Sequence, residues 1–192
     1  KDKLSNLIGK EVFPNDFSVR KAKDNESLKC LDGKNYDLNE NITIITCCDK
    51  PVAIAGVIGG LETSVTNTTS SIYLEGAVFN PVTIRKSSRE IGVRTESSSR
   101  YEKGISSKNT ISAVTRAINL LEEYFPINLP VINTSNVINN EDVFIKLRRN
   151  RIHKILGPLI INDQLDKRNL SDNEIVEKLM LIGCTLKSKE YG

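Results

Sequence analysis

The chain has a single histidine, and that scarcity removes several chemistries at once. His153 stands on a basic stretch far from the serine clusters, so a Ser-His-Asp relay has no support. With no histidine pair, no Cys-x-x-Cys pair and no tight carboxylate cluster, no metal site can be drawn. The four cysteines, Cys30, Cys47, Cys48 and Cys184, are too few and too irregularly spaced for a disulfide framework. They suit a reducing cytosol, in which the sequons at Asn41, Asn67 and Asn133 are accidental. Cys47 and Cys48 lie in an apolar strand, where small buried thiols are the ordinary reading and redox chemistry the alternative. Long apolar runs are also missing. The longest, Val52 to Ile58, contains Gly56 and falls far short of the roughly 20 residues a spanning helix requires. No internal repeat or low-complexity tract appears.

What is present is globular: 192 residues, 39% hydrophobic and 27% charged, enough for one domain and a small second one. The chain starts at Lys1 without a Met and stops at Tyr191-Gly192 after a strand-like segment, so it reads as a piece of a longer one. The net charge of +3 is mild but uneven. Between Arg85 and Lys103 six basic residues face three acidic ones, and Lys146 to Lys154 carries five cations and no acid. Such zones either track a phosphate backbone or form solvated helix faces.

The predicted fold class is α+β: a mixed or antiparallel sheet with packed helices, followed by a small helical unit. Residues 17 to 62 read as β structure. Ser27 to Leu31 and Asn35 to Leu38 flank the turn dipeptide Asp32-Gly33. Asn41 to Cys47 and Pro51 to Val57, rich in Ile and Val, read as central strands, and Ser71 to Glu75 alternates as a further one. Asn80-Pro81 starts a helix that Gly92 stops, with Arg85 and Arg89 on one face. A second helix runs from about Ser107 to Phe125, its Ile111, Val114, Ile118, Leu121 and Phe125 stripe expected in the core and its end set by Pro126 and Pro130. The polar stretch Asn133 to Asp142 is the predicted boundary. Beyond it, Val143 to Arg148 reads as a strand. Asn150 to Leu156 reads as a helix with Ile152, Ile155 and Leu156 inward, and a last helix starts at the Ser171–Glu174 capping box and closes at Gly183.

Two clusters carry candidate chemistry. Gly56-Val-Ile-Gly59-Gly60 lacks the spacing and the Lys-Ser/Thr of a phosphate loop, so its glycines are read as letting the backbone approach a ligand. Glu75, between Leu74, Gly76 and Ala77, is costly to bury without a donor; either a ligand or a nearby structural partner supplies one. The second cluster, Gly92 to Gly104, gathers Thr95, Ser97, Ser98 and Ser99 beside Arg94 and Arg100.

Gly56-Val-Ile-Gly59-Gly60-Leu-Glu-Thr-Ser64, the Thr/Ser tract after it, Leu74-Glu75-Gly76-Ala77-Val-Phe79-Asn-Pro81 through Arg85, and Gly92 to Gly104 follow one another in an order that resembles the beta subunit of bacterial-type phenylalanyl-tRNA synthetase. The likeness covers nearly the whole chain. Residues 1–135 resemble most of its B3/B4 module, 136–142 a linker, and 143–192 the opening of its B5 module. The resemblance implies an editing site that hydrolyses tyrosine wrongly joined to the phenylalanine tRNA, in a cytoplasmic complex with an alpha subunit. By that likeness Gly59 and Glu75 contact the tyrosine hydroxyl, Gly60 and Ala77 leave room for the ring, and Thr95 and Ser97 line the same pocket. Glu75 and Thr95 are the side chains it assigns to the reacting centre. Arg85, Arg89 and Arg100 are candidates for tRNA contact on charge alone. ATP and Mg2+ serve the whole synthetase, with no cofactor or metal residue expected in these 192 residues.

Three departures from the family pattern matter. The water-positioning histidine of the family sits in a run ending His-Ala-Phe-Asp, expected just ahead of Lys1. Ser97 stands where alanine is usual, and Gly76 where alanine is common. The contrasting expectation, for the piece alone, is a non-catalytic RNA-binding or scaffolding module.

Overall fold

The computed structural model describes residues 2–127, 144–161 and 164–187, and the chain divides into two compact units, Lys1–Asn140 and Glu141–Gly192. The predicted boundary at 133–142 lies outside the described residues.

The first unit opens with helix α1 (Asp2–Ile8), followed by strands β1 (Phe17–Lys21), β2 (Ser27–Lys29), β3 (Asn35–Asp37), β4 (Thr43–Cys47), β5 (Lys50–Ile54) and β6 (Ile58–Gly59). Sheet order is β1-β4-β5-β6, every pair antiparallel, so the two Ile/Val-rich strands are central as their composition predicts. Ile44 sits opposite Ile54, both buried, each contributing about 1.5–3 kcal/mol relative to exposure. β2 and β3 form the predicted hairpin around Asp32-Gly33, with Gly33 at φ +81°, and one bridge, Cys30 to Gly60, joins it to the main sheet. The β4–β5 turn is left-handed at two non-glycine residues, Cys48 (φ 48°) and Asp49 (φ 68°). That geometry suits the twist of a two-residue hairpin. Asp49 is held there by Arg20 (2.6 Å) and Lys23 (2.5 Å).

Helix α2 (Pro81–Glu90) begins where Asn80 Oδ1 accepts from the N–H groups of Val82 (2.9 Å) and Thr83 (3.3 Å), and Gly92 (φ +67°) follows its end. Its buried Ile84 joins the core of Ala22, Leu38, Ile42, Ile44, Ile54 and Val57, and Ser87 Oγ accepts from Thr43 N–H at 3.1 Å. Cys30 and Cys47 are fully buried, and loss of hydration pushes both thiols up to about 11. They are packing residues rather than reactive thiolates. Helices α3 (Glu96–Tyr101) and α4 (Ser107–Tyr124) follow.

Two expectations for this unit fail. Residues 71–75 form no strand and pair in no ladder, Ile72 and Leu74 exposed and Tyr73 turned inward onto Phe17, its hydroxyl donating to the Val12 carbonyl. Alternation alone cannot supply the neighbouring strand that a ladder needs. The α4 stripe is not core either. No residue of α4 is buried; Val114, Ile118 and Leu121 are half-buried, while Ile111 is 68% and Phe125 61% exposed. Helical periodicity fixes which side is apolar, not whether anything covers it.

The second unit holds α5 (Arg149–Leu156), a hairpin of β7 (Leu159–Ile161) and β8 (Gln164–Arg168), and α6 (Asp172–Leu181). Residues 144–148 are not the predicted strand, and Ile155 and Leu156 are exposed rather than inward. α5 ends at Gly157 (φ +71°) as expected, and His153 is half-buried, its Nε2 3.0 Å from the Leu170 carbonyl. The Ser171–Glu174 capping box forms, and Arg168 grips the Glu174 carboxylate through both Nη atoms, at 2.8 and 2.7 Å. Those bonds hold Glu174 well below the ordinary carboxylate range.

Candidate functional site

The site residues named from sequence lie in the first unit, around the turn between β5 and β6. Ala55, Gly56 and Val57 make that turn, with Gly56 at φ +64°. A Cβ on Gly56 would come within 3.2 Å of Ile84, Phe79 and Tyr101, so glycine is required there for both its dihedral and its clearance.

The next two glycines differ. A Cβ on Gly59 would meet the Leu31 side chain at 3.3 Å. One on Gly60 would lie 2.6 Å from the Val52 carbonyl oxygen, to which the Gly60 N–H itself donates at 2.9 Å. Gly60 is buried, and its missing side chain is what lets β5 and the Cys30 bridge close on it. Sheet packing therefore already accounts for Gly60.

Helix α3 is a short strut against that turn. Its N-cap is Thr95, whose Oγ1 accepts from Ser98 N–H (3.0 Å) and donates to the Val57 carbonyl (2.7 Å). Ser98 Oγ returns the box to Thr95 N–H at 2.9 Å. Ser97 Oγ donates to the Gly56 carbonyl at 3.0 Å. The two hydroxyls that sequence reading places in the pocket thus spend their protons on consecutive carbonyls of the turn. At the far end of α3, Tyr101 donates to the Ala77 carbonyl (3.2 Å) and packs on Phe79, with ring centroids 5.2 Å apart.

Glu75 is different. Among the described residues it has no hydrogen-bond or ion-pair partner, and it is exposed by area. Yet the protein crowds its carboxyl closely enough that lost hydration raises its pKa. The two observations fit a carboxyl walled by protein on one side and open on the other. Tyr101 senses it: burial first, then the Glu75 charge, push its phenol upward. Next to Glu75, a Cβ on Gly76 would sit 2.3 Å from Val114 Cγ2 of α4, so this segment lies hard against that helix. Ala77 is half-buried behind it.

Of the three candidate tRNA contacts, Arg85 reaches the Glu102 carbonyl at 3.2 Å and Arg89 is exposed near the end of α2. Arg100 has Glu96 at 3.9 Å, with both side chains largely in solvent, a pairing of little energetic weight. Arg94 braces α3 through Ser99 (3.3 Å) and Glu102 (3.2 Å). Tyr101 was not named from sequence as a site residue, and Ser98 entered only as one of the hydroxyls of the second cluster. The Thr95-x-x-Ser98 spacing is itself a cap signal that points to α3. No group of His, Cys, Asp or Glu among the described residues could hold a metal ion.

An antiparallel sheet backed by one capped helix, with a second short helix tied to its hairpin turn, is an α+β arrangement consistent with a B3/4 domain. The B3/4 domain model matches residues 2–126, and the chain belongs to that family. More particularly, it resembles phenylalanine–tRNA ligase beta subunits, as the motifs indicate. It is 85% identical over 192 residues to that of Prochlorococcus marinus (strain MIT 9312) and 69% identical over 199 residues to that of Prochlorococcus marinus subsp. pastoris. It is 37% identical over 189 residues to that of Synechococcus sp. (strain CC9902). All of the chain aligns with the first two and 98% with the third, but it spans only 23–24% of the length of these relatives. No helix among the described residues is long and apolar enough to cross a membrane.

Proposed function

We propose that the first unit carries the selecting half of a tRNA editing site: it recognises tyrosine attached to the phenylalanine tRNA so that the ester is hydrolysed. In this reading residues 1–135 are the editing domain, 136–142 a linker and 143–192 the start of a B5-like domain. The parent protein is a subunit of a cytoplasmic phenylalanine–tRNA ligase, working with an alpha subunit and the phenylalanine tRNA. The observation that carries the reading is Glu75, a desolvated carboxyl with no partner among the described residues.

The physical need is plain. A pocket shaped for phenylalanine rejects an analogue that merely adds a hydroxyl by only about a hundredfold, so a second sieve is required. A carboxylate already stripped of part of its hydration gains from accepting a hydrogen bond from the phenol O–H. Phenylalanine in the same place would leave it unpaired, at roughly 1–3 kcal/mol or more. Glu75 thus selects. Thr95 and Ser97, their hydroxyl protons directed to the Val57 and Gly56 carbonyls, shape the site rather than react in it. Gly59 supplies clearance and Ala77 a small wall. The attacking water is positioned by groups outside these residues and by the terminal hydroxyl of the tRNA. ATP and Mg2+ belong to synthesis elsewhere in the complex; the described side chains do not form a cation site.

The test is deacylation of tyrosyl-tRNA(Phe) by the complete ligase and by the 192-residue chain, each with and without Glu75→Ala. The complete ligase is expected to lose its preference for tyrosyl over phenylalanyl ester on substitution. Equal deacylation after the change removes the role given to Glu75. Binding of tRNA by the short chain without deacylation is the expected behaviour of the piece alone.

A further inference from the structure

The segment that carries Glu75 has almost nothing of its own to hold it. Residues 70–80 belong to no strand or helix. Across Leu74 to Phe79, the hydrogen bond among the described residues is the one from Tyr101 Oη to the Ala77 carbonyl, at 3.2 Å. Side-chain packing supplies the rest: Phe79 against the Tyr101 ring, and Gly76 against Val114. A segment without ladder bonds keeps its position only through such ties.

Tyr101 is itself well anchored. It ends α3, whose other end is fastened to the β5–β6 turn by Thr95 and Ser97, and its ring lies over Gly56 of that turn. The phenol therefore transmits the position of the hairpin to a carbonyl two residues from Glu75. The Glu75 charge is also close enough to add, after burial, to the raised pKa of Tyr101.

We propose that Tyr101 is the positioning residue of the site: its hydroxyl, through the Ala77 carbonyl, sets where the Glu75 carboxyl meets the substrate. It does not touch the reacting ester. The inference rests on the tyrosine-selecting role of Glu75 given above. It predicts that the hydroxyl, rather than the ring, controls how sharply tyrosine is told from phenylalanine.

The experiment compares four complete ligases: parent, Tyr101→Phe, Glu75→Gln and the double variant. The readout is the ratio of kcat/KM for deacylating tyrosyl- and phenylalanyl-tRNA(Phe). Tyr101→Phe keeps the ring on Phe79 and Gly56 and removes one neutral hydrogen bond, so the ratio should fall by roughly 3- to 10-fold. In the Glu75→Gln background the same change should cost no further selectivity, because its effect passes through that carboxyl. A Tyr101→Phe ligase as selective as the parent, beside a Glu75→Gln ligase that is not, overturns the inference alone. An equal further loss in the double variant overturns it too, marking a merely structural effect. If Glu75→Gln is itself as selective as the parent, the editing reading falls and takes this inference with it.

Discussion

Gly76 gives the sharpest test of how Glu75 is placed. A Cβ there would sit 2.3 Å from Val114 Cγ2, where carbon atoms ordinarily rest about 3.5–4.0 Å apart. Some 1.2 Å or more must therefore be found. Val114 cannot give it cheaply, because a β-branched side chain within a helix is held in one χ1 well. The backbone of residues 75–77 has to retreat from α4, and Glu75 moves with it. Overpacking of this kind costs about 1–3 kcal/mol. For a chain of this size that lowers the melting temperature by roughly 3–10 °C. Val114 is half-buried, so Val114→Ala alone should cost about 1 kcal/mol. Combined with Gly76→Ala it opens the space the new methyl needs, and the double variant should be more stable than the two losses added, by about 1–2 kcal/mol. Urea denaturation of all four proteins, followed by far-ultraviolet circular dichroism, measures the coupling. Strict additivity, or a Gly76→Ala protein as stable as the parent, would refute the claim that this contact fixes the segment.

Neighbouring glycines should behave unequally: Gly60→Ala, forced onto the Val52 carbonyl, should lose about 3 kcal/mol, whereas Gly59→Ala, meeting only a movable Leu31 side chain, should stay within about 1 kcal/mol in the same denaturation assay. Cys48→Gly should stabilise the first unit by up to about 1 kcal/mol, since glycine adopts the left-handed turn without steric cost; a lower denaturation midpoint would contradict this. Charge reversal at Arg85, Arg89 and Arg100 should weaken tRNA binding and flatten its salt dependence by about one unit of slope for each phosphate no longer neutralised; binding unchanged across a salt titration would return them to ordinary surface charges. Glu75 has a definite pH signature. Its folded pKa is raised, so the native state holds more protons than the unfolded one between the two values, and stability falls as pH rises through that window. Glu75→Gln should remove that part of the stability profile, and an unchanged profile would show that the carboxyl is hydrated normally.

Much of the scaffold was legible because it depends on local chemistry. The Ile/Val runs of β4 and β5, the Asn80-Pro81 start and the Ser171–Glu174 box each encode their own geometry, and each forms. What failed needed a partner. The alternation at Ser71 to Glu75 and the stripe on α4 state which face is apolar, but among the described residues no strand runs beside the first and the second is at most half-buried. Gly60 has a packing reason that its sequence context does not reveal. A glycine beside a predicted ligand and a glycine under a crossing carbonyl look alike in sequence, and only the 2.6 Å clearance separates them.

The same distinction bears on the site. A motif rich in hydroxyls invites a catalytic reading, yet hydrogen-bond capacity is finite: a hydroxyl has one proton to donate. Thr95 gives its proton to Val57 and Ser97 gives its proton to Gly56, so each contributes geometry. Tyr101 gives its proton to Ala77 and contributes geometry as well. Among these motif side chains Glu75 keeps its bonding capacity unspent by protein partners, crowded on one side enough to raise its pKa and open on the other. Proteins satisfy such groups internally wherever they can. The hydroxyls of Thr95, Ser97 and Tyr101 are committed to holding the turn and the segment in place, and in the proposed reading the Glu75 carboxyl is what meets a donor arriving from outside.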